Sequence, residues 1–313
     1  PTQTVIHFHS WTKALSASVL KLAFKRKIQV VCTLHDYFIA CPNGGFFDYQ
    51  RREICKEVPL SIGCAFKNCD SRNYAQKIWR LFRQIIQKKI GKVPAQIQNF
   101  ITVSSFSEKI LKPFLPPKAN VYRIENPIFV DRSECVDIKA NRSFTFVGRL
   151  SPEKGVILFA SAAKSLDIVP VFVGEGELRK EIEQICPQAQ ITGWVSKSNV
   201  INHLLAARAL ILPSILYETQ GMVVMEAAAL GIPSIVPDTS AARDQIEDGK
   251  TGFLFRGGDT DDLAKKIRLL FNPSVAERLG QAAYDSYWSN PKHLCTHTKR
   301  LITCYESILK KHQ

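Results

Sequence analysis

Short apolar stretches alternate with segments of helical spacing along almost the whole chain. In the first third, this pattern predicts strands at 5–8, 30–34, 100–103 and 121–124, and helices at 16–24 and 107–115. In the second half, it predicts strands at 144–147, 170–173, 190–192, 209–212 and 234–236, separated by helices at 154–166, 177–185, 198–206 and 222–230. Strands that alternate with helices form parallel sheets through right-handed crossovers. The pattern therefore predicts an α/β protein with two doubly wound sheets.

A polar, charged stretch at 131–142 separates the two series of elements and is the predicted linker between two domains. Ligands usually bind in the cleft between doubly wound domains, at the carboxyl ends of the strands. The sequence therefore predicts a ligand site at the strand ends.

The composition fits a globular protein, with 45% hydrophobic and 22% charged residues in 313. The net charge of +14 suits nucleic acid, an anionic membrane or a polyphosphate substrate. Two apolar segments, near 201–216 and 220–237, are interrupted by Arg208 and Glu226, so no spanning helix is predicted. The nine cysteines are odd in number and mostly scattered through predicted core elements, which indicates a reducing, cytoplasmic compartment.

Part of the basic excess lies in one segment, 72–92, which has seven basic residues and no acidic one. Five apolar side chains share one face of the predicted helix: Tyr74, Ile78, Phe82, Ile85 and Ile86. Such a helix can lie on an anionic membrane surface. The alternative is a domain helix whose apolar face is core and whose charges are solvated. Nucleic acid is not an expected partner, because no known nucleic-acid-binding module accompanies the charge.

Four cysteines, Cys41, Cys55, Cys64 and Cys69, fall in one stretch rich in Gly, Asn, Asp and Pro that lacks helix or strand periodicity. A structural zinc ion is one interpretation of such a cluster. The spacings do not match the close Cys pairs of well-known zinc sites, so a loop with packed thiols is slightly favoured.

Two glutamates, Glu218 and Glu226, bracket a predicted strand-to-helix junction. A buried strand ends near 212, and an apolar helix begins near 222. Free backbone N–H groups around 219–222 would point at a ligand, and Gly221 would permit a close approach by a phosphate or diphosphate. The two carboxylates would then lie on either side of that phosphate, where they can accept hydrogen bonds from sugar hydroxyls.

A second junction, 146–155, places Arg149 and Lys154 over the start of the next predicted helix. Arginine offers a planar fork and lysine a point charge, and both neutralise phosphoryl oxygens. A diphosphate could bridge the pair; the alternative is a solvated loop with incidental charges. The GxG sequence at 174–176 is weak evidence by itself and more simply turns the chain.

Five ordered motifs resemble those of the retaining glycosyltransferases of family 4, the glycosyl transferases group 1: FVGRLSPEKG, VFVGEGELR, ITGWVSKSNV, ILPSILYETQGMVVMEAAALGIPSIV and DGKTGFLF. The resemblance is strong over about 140–290. In the first third, the matches are shorter and resemble strand ends of the acceptor domain: VIHFHS, TLHD, ITVS and ENP. The resemblance implies a GT-B fold, with an acceptor-side domain at 1–134, a donor-binding domain at 135–289 and a final helix within 290–313 that packs back on the first domain.

The resemblance also implies roles for individual residues. The substrate would be a nucleotide-diphosphate sugar, bound through its diphosphate by Arg149, Lys154 and the backbone of Thr219, Gln220, Gly221 and Met222. Glu218 would hold the donor sugar hydroxyls, and Glu226 the ribose. His35, at the end of a predicted strand, would face the transferred sugar, although it could merely cap that strand. His7 and His9 share one face of their strand and serve packing or acceptor binding equally well.

The implied reaction is transfer with retention to a glycan or lipid-linked acceptor, in the synthesis of a cell-surface polysaccharide. Positive charge would stabilise the departing nucleoside diphosphate, so neither a divalent metal nor another cofactor is expected. Glu218 is assigned to binding and orientation and not to nucleophilic attack. Location at the inner face of the membrane follows from the basic helix and the family.

Compared with the family, the opening strands of the first domain are missing, so we expect an N-terminally truncated chain. This expectation leaves a second functional interpretation open: a non-catalytic relative that binds nucleotide or membrane and needs a partner. The intact glutamates, Arg149, Lys154 and His35 favour the enzyme. The donor base, the donor sugar and the acceptor do not follow from these motifs.

Overall fold

The computed structural model describes residues 4–10 and 16–311. In chain order the strands are β1 (Val5–His9), β2 (Gln29–Leu34), β3 (Phe47–Asp48), β4 (Glu53–Ile54), β5 (Asn99–Thr102), β6 (Asn120–Arg123), β7 (Ser143–Val147), β8 (Pro170–Val173), β9 (Gln190–Ile191), β10 (Ala207–Ile211), β11 (Ser234–Pro237) and β12 (Gly252–Phe255). The helices are α1 (Ser18–Lys25), α2 (Ile62–Phe66), α3 (Tyr74–Lys89), α4 (Ser105–Leu111), α5 (Val156–Ser165), α6 (Arg179–Ile185), α7 (Lys197–Leu205), α8 (Met222–Leu230), α9 (Thr260–Leu269), α10 (Pro273–Ser289) and α11 (Leu294–Lys310).

The chain divides into two compact units. The first consists of residues 1–127 with 293–313, and the second of residues 128–292. Ile128 and Val130 are buried in the core of the second unit, and Ile128 N–H donates to the Lys292 carbonyl at 2.9 Å. The division between the units therefore lies between 127 and 128 and not between 134 and 135, because two apolar residues that precede the polar linker belong to the second core.

The first unit contains a four-stranded parallel sheet in the order β1-β2-β5-β6. Helix α11 lies against this sheet: Cys304 and Ile308 form one buried cluster with Val31, Ile101 and Ile124. The long connection from β2 to α3 carries the small antiparallel hairpin of β3 and β4 and the short helix α2. Neither was predicted, because two-residue strands and a five-residue helix carry no periodic signal.

The second unit contains a six-stranded parallel sheet in the order β12-β11-β10-β7-β8-β9. Strands β8, β10 and β11 are buried along their whole length, as is typical of a parallel sheet with both faces covered. Phe144, Phe146 and Phe172 are almost completely buried. Helix α9 was missed, although Asp259 caps its N-terminus and Leu263 and Ile267 anchor it in the core.

The burial pattern of helix α3 is the reverse of that of an ordinary domain helix. Its buried face carries Lys77, Leu81, Gln84 and Gln87. Its apolar face is open, with Tyr74, Ile78, Trp79, Phe82, Ile85, Ile86 and Ile90 between 38% and 60% exposed. Within the part of the chain that the structure describes, this face is therefore not covered by other residues.

Candidate functional site

The predicted donor-binding residues all follow strands of the second unit. Because every strand of this sheet is parallel, the loops that follow β7, β8, β10 and β11 lie at one edge. Strand β7 lies between β10 and β8, so the chain leaves it first toward one side of the sheet and later toward the other. Such a switch point opens a crevice at the carboxyl ends of the strands, where ligands bind in open α/β sheets.

Glycines let the loops at this edge approach each other closely. A Cβ atom on Gly155 would lie 1.9 Å from the Pro213 carbonyl oxygen, and φ at Gly155 is +66°. A Cβ on Gly174, where φ is +148°, would lie 1.9 Å from the Gly148 carbonyl oxygen. Only glycine fits such contacts without backbone movement. The GxG at 174–176 therefore does more than turn the chain, since it lets the loop after β8 pack on the loop after β7.

Lys154 and Glu218 form an ion pair between two of these loops. Lys154 Nζ donates to Glu218 Oε1 at 2.6 Å, and the Ser214 hydroxyl donates to the same oxygen at 2.7 Å. Burial alone would raise the pKa of Glu218, but the Lys154 ammonium and the two hydrogen bonds outweigh it and hold the pKa below its usual value. Glu218 is thus a fixed carboxylate. Ser214 was not predicted, although it lies four residues before Glu218 in the same loop.

Arg149 lies in the loop after β7 and pairs within that loop. Its guanidinium donates to Glu153 Oε1 at 2.7 Å, and the Glu153 side chain is 5% exposed whereas that of Arg149 is 60% exposed. The Glu153 carbonyl accepts hydrogen bonds from the backbone N–H groups of Ile215 and Leu216. Glu153 was also missed. It ties the loop after β7 to the loop after β10, and a charged residue four positions from Arg149 was the available signal.

The predicted phosphate cradle, Thr219 to Met222, leads into helix α8. Gly221 is the N-cap residue, with φ +76°, and no side chain caps this end. The first backbone N–H groups of a helix have no partner within it, so they and the helix dipole favour an anion. Gln220 is buried, and its carbonyl accepts from the Gln245 side chain, which fixes the turn.

Glu226 lies on α8 and is half-buried. Burial raises its pKa, and the Lys197 ammonium partly offsets that effect. A carboxyl group in this setting can accept or, when protonated, donate a hydrogen bond to a hydroxyl pair. Its environment differs from that of Glu218, which has a cation in direct contact.

The first unit places His35 directly after β2. His9 Nδ1 and His35 Nε2 are 2.8 Å apart, while His7 bonds to the Tyr305 hydroxyl and to Thr33 Oγ1, both at 2.6 Å. Burial first, and His9 and His297 second, lower the pKa of His35 to about 4. His35 is therefore a neutral imidazole at pH 7. Both ring nitrogens of His7 are thus engaged in hydrogen bonds, whereas His9 is exposed and pairs with His35.

Within residues 4–10 and 16–311, no group of three or more His, Cys, Asp or Glu side chains is arranged to hold a metal ion. In the same part of the chain, no helix has the length and apolar character needed to cross a membrane.

Comparison with known proteins identifies the family. Residues 136–286 match the family model described as glycosyl transferases group 1. This segment covers the Lys154–Glu218 pair, the cradle and Glu226. Residues 136–286 thus belong to the group 1 glycosyltransferases.

Individual relatives align over different lengths. The chain is 32% identical over 282 residues to the UDP-Gal:alpha-D-GlcNAc-diphosphoundecaprenol alpha-1,3-galactosyltransferase of Escherichia coli, which covers 84% of this chain and 65% of that protein. It is 30% identical over 150 residues to the alpha-D-kanosaminyltransferase of Streptomyces kanamyceticus, covering 44% of this chain and 39% of that protein. The chain thus spans less than two thirds of the length of these curated relatives.

The fold matches solved structures over nearly the whole chain. The sucrose-phosphate synthase of Thermosynechococcus elongatus superposes with a TM-score of 0.72 at 16% identity, covering 98% of this chain and 74% of that one. The chain has the GT-B fold.

Proposed function

We propose that this protein is a retaining glycosyltransferase that moves a sugar from a nucleotide-diphosphate sugar to a glycan or lipid-linked acceptor, in the synthesis of a cell-surface polysaccharide. The observation that carries the proposal is the Lys154–Glu218 ion pair, fixed by Ser214 beside the uncapped N-terminus of α8. It places a cation, a carboxylate and the N-terminus of a helix together at the carboxyl edge of the second sheet. A diphosphate needs the first and third of these, and a sugar needs the second.

Each residue has a distinct task in this proposal. Arg149, Lys154 and the N–H groups of 219–222 bind the diphosphate, and Lys154 connects it to Glu218, which holds the sugar hydroxyls. Glu226 binds the ribose. These cations oppose the negative charge that grows on the leaving diphosphate, so the transfer needs no divalent metal in this proposal.

The bond between the sugar and the diphosphate breaks, and the acceptor oxygen attacks from the same face of the ring. The leaving phosphate takes the proton of the acceptor hydroxyl, so no carboxylate has to act as a nucleophile. His35 serves the transferred sugar as a neutral hydrogen-bonding group. Its lowered pKa keeps it uncharged at pH 7.

The experiment is a transfer assay with UDP-galactose and a synthetic GlcNAc-diphospholipid, with the product anomer determined by proton NMR. This donor comes first because the Escherichia coli relative that aligns over 84% of the chain is named for it; GDP-mannose is the second donor. We expect an α-linked product, equal rates with and without EDTA, and loss of about 100-fold or more in Lys154→Ala. A β-linked product contradicts retention. No transfer by a folded chain that binds donor favours the non-catalytic alternative.

We propose further that the protein acts at the cytoplasmic face of an anionic membrane, through a surface formed by α1 and α3. Val19 and Leu22 of α1 are exposed, as are Trp79, Phe82 and Ile86 of α3. The two helices border a groove of about 390 Å³ lined by Lys21, Trp79, Phe82, Ile86 and Ile90.

Exposed lysines lie on the same two helices or just after them: Lys21, Lys25, Lys88, Lys89 and Lys92. The other basic residues of α3 face inward, since Lys77 is buried and Arg80 pairs with Asp70 at 2.6 Å. Exposed aromatic side chains and lysines on the same helices fit the interface of an anionic bilayer, where each lysine contributes about 1 kcal/mol.

Vesicle flotation tests the membrane proposal. The protein should float with vesicles containing 30% phosphatidylglycerol and less with pure phosphatidylcholine, and Trp79→Ser/Phe82→Ser should reduce flotation at least tenfold. Trp194→Ser is the matched control, because Trp194 is 73% exposed in the second unit. Equal flotation of the double variant and the wild type contradicts this surface.

A further inference from the structure

The connection from β2 to α3 contains a buried lysine surrounded by thiols. Lys77, on the inward face of α3, is 1% exposed. Its Nζ donates to Cys69 Sγ at 3.1 Å and to Cys64 Sγ at 3.4 Å. In the part of the chain that the structure describes, these sulfur atoms are the polar partners found for this ammonium group. A buried cation requires a compensating anion, and here a thiolate has to supply it.

Cys55 completes the cluster. Its side chain is hydrogen-bonded to that of Cys69, so the two sulfur atoms are neighbours, and Cys55 is half-buried whereas Cys69 is buried. Asn43 Nδ2 donates to Cys69 Sγ at 3.1 Å and to the Cys69 carbonyl at 2.7 Å. Cys69 is therefore held in place from three directions, and Cys55 is the member of the pair that solvent can reach.

The charges around the pair favour one thiolate. The hydrogen bond from Cys69 is the main cause that lowers the pKa of Cys55 to about 6, with Lys67 and Lys77 contributing, and the pKa of Cys69 is correspondingly raised. Burial would lower the pKa of Lys77, but the surrounding sulfurs raise it above its usual value. The pair thus shares one proton, and the lysine stays charged. Thiolates in such electropositive, partly exposed settings are the reactive ones.

We propose that Cys55 and Cys69 form an oxidation-sensitive modification site, which a hydroperoxide converts into a disulfide. The Cys55 thiolate attacks one oxygen of hydrogen peroxide, the O–O bond breaks, and Cys55 becomes a sulfenic acid while hydroxide leaves as water. The Cys69 sulfur then attacks the Cys55 sulfur, forms the S–S bond and releases a second water. Two thiols and one peroxide thus yield one disulfide and two waters.

The site lies where oxidation can affect the strand end that carries His35. The connection begins at Asp36, directly after His35, and Tyr37 N–H bonds to the Gly44 carbonyl of the same loop. The Tyr49 backbone N–H bonds to the Cys69 carbonyl. A disulfide would remove the negative charge that the Cys55–Cys69 pair places near Lys77, and Cys64 would be the thiol left beside that cation. We therefore expect this connection to change its protection from proteolysis when the pair is oxidised.

The experiment is a titration of the full chain with hydrogen peroxide, followed by alkylation and peptide mass mapping. We expect a Cys55–Cys69 disulfide at near-equimolar peroxide, and alkylation of reduced Cys55 by iodoacetamide at pH 7 about 10-fold faster than that of Cys295, which is exposed but outside the cluster. Cys69→Ser should abolish the disulfide, whereas Cys64→Ser should leave it intact.

A lysine variant separates activation from mere proximity. Lys77→Met, of similar length, should slow alkylation of Cys55 several-fold, and the two serine variants still decide the proposal if this variant does not fold. A disulfide that instead joins Cys64, or no preference of Cys55 over Cys295, overturns the proposal. The proposal is also overturned if the purified protein contains one equivalent of zinc that thiol modification releases, as detected with a chromogenic chelator. A metal ion would then hold the thiols.

Discussion

Removing the cation from the Lys154–Glu218 pair should destabilise the second unit measurably. The Glu218 side chain is 14% exposed, and in Lys154→Met its Oε1 would lose the ammonium but keep the hydrogen bond from the Ser214 hydroxyl. The pair is 2.6 Å apart, and an effective dielectric constant of about 20 gives an attraction of about 6 kcal/mol. Desolvation offsets several kcal/mol of this. We expect a net loss of about 2–4 kcal/mol in the free energy of unfolding.

The loss should depend on pH in a defined direction. The folded-state pKa of Glu218 is lowered, so its contribution is fully present above the unfolded value near 4.5 and is lost as the pH falls through the folded-state pKa. The difference between wild type and Lys154→Met should therefore be largest at neutral pH and shrink in acid. Urea denaturation followed by tryptophan fluorescence, at pH 7 and at pH 4, measures both values.

Lys250→Met is the matched control. Lys250 pairs with Glu247 at 2.9 Å, but both side chains are more than 60% exposed. Such pairs contribute about 0–1 kcal/mol. If Lys154→Met cost no more than Lys250→Met, or if its cost did not shrink at pH 4, the fixed buried carboxylate would be refuted.

Two further predictions concern backbone and histidines. Gly155→Ala should lower the free energy of unfolding by about 2–4 kcal/mol, because its Cβ would meet a carbonyl oxygen. In Gly249→Ala, where φ is +74° and the surroundings are open, the loss should be only about 1 kcal/mol. Equal losses of stability in thermal denaturation would contradict the close packing of the two loops. Burial is the main cause that lowers the pKa of His7 and of His35 to about 4, and neighbouring histidines are the second. The contribution of each neutral imidazole to the free energy of unfolding should therefore be fully present above pH 6.5. It should decline by roughly 1–2 kcal/mol per histidine toward pH 4. His7→Asn should flatten that profile, and an unchanged profile would count against neutral buried imidazoles.

Periodicity was sufficient to predict most of the regular elements. The strand predicted at 170–173 and the helix predicted at 222–230 coincide with β8 and α8, since each is a mostly apolar run that ends at a glycine. The hairpin of β3 and β4 could not be predicted, because strands of two residues carry no periodic signal. The burial of Lys77 on the inward face of α3 could not be predicted either. Its ammonium contacts Cys64 and Cys69, which lie in a stretch of the sequence without helix or strand periodicity.

The sequence analysis named individual residues of the candidate site, but it did not predict which of them contact each other. Glu218 and Lys154 were singled out separately, one for sugar and one for phosphate, yet they contact each other at 2.6 Å. Glu153 and Ser214 were missed because carboxylates and hydroxyls in loops are common, and only the structure reveals that these two hold the loops and the carboxylate in place.

The central claim is that the carboxyl edge of the second sheet binds a nucleotide-diphosphate sugar. Calorimetric titration of the chain with UDP, GDP, ADP and their sugar conjugates tests it most directly, with Arg149→Ala and Glu226→Ala as site variants and Glu247→Ala as the matched surface control. We predict that one nucleotide binds, that both site variants weaken it at least tenfold and that Glu247→Ala leaves it unchanged. No binding of any nucleotide to the folded chain, or binding that both site variants retain, would contradict the account.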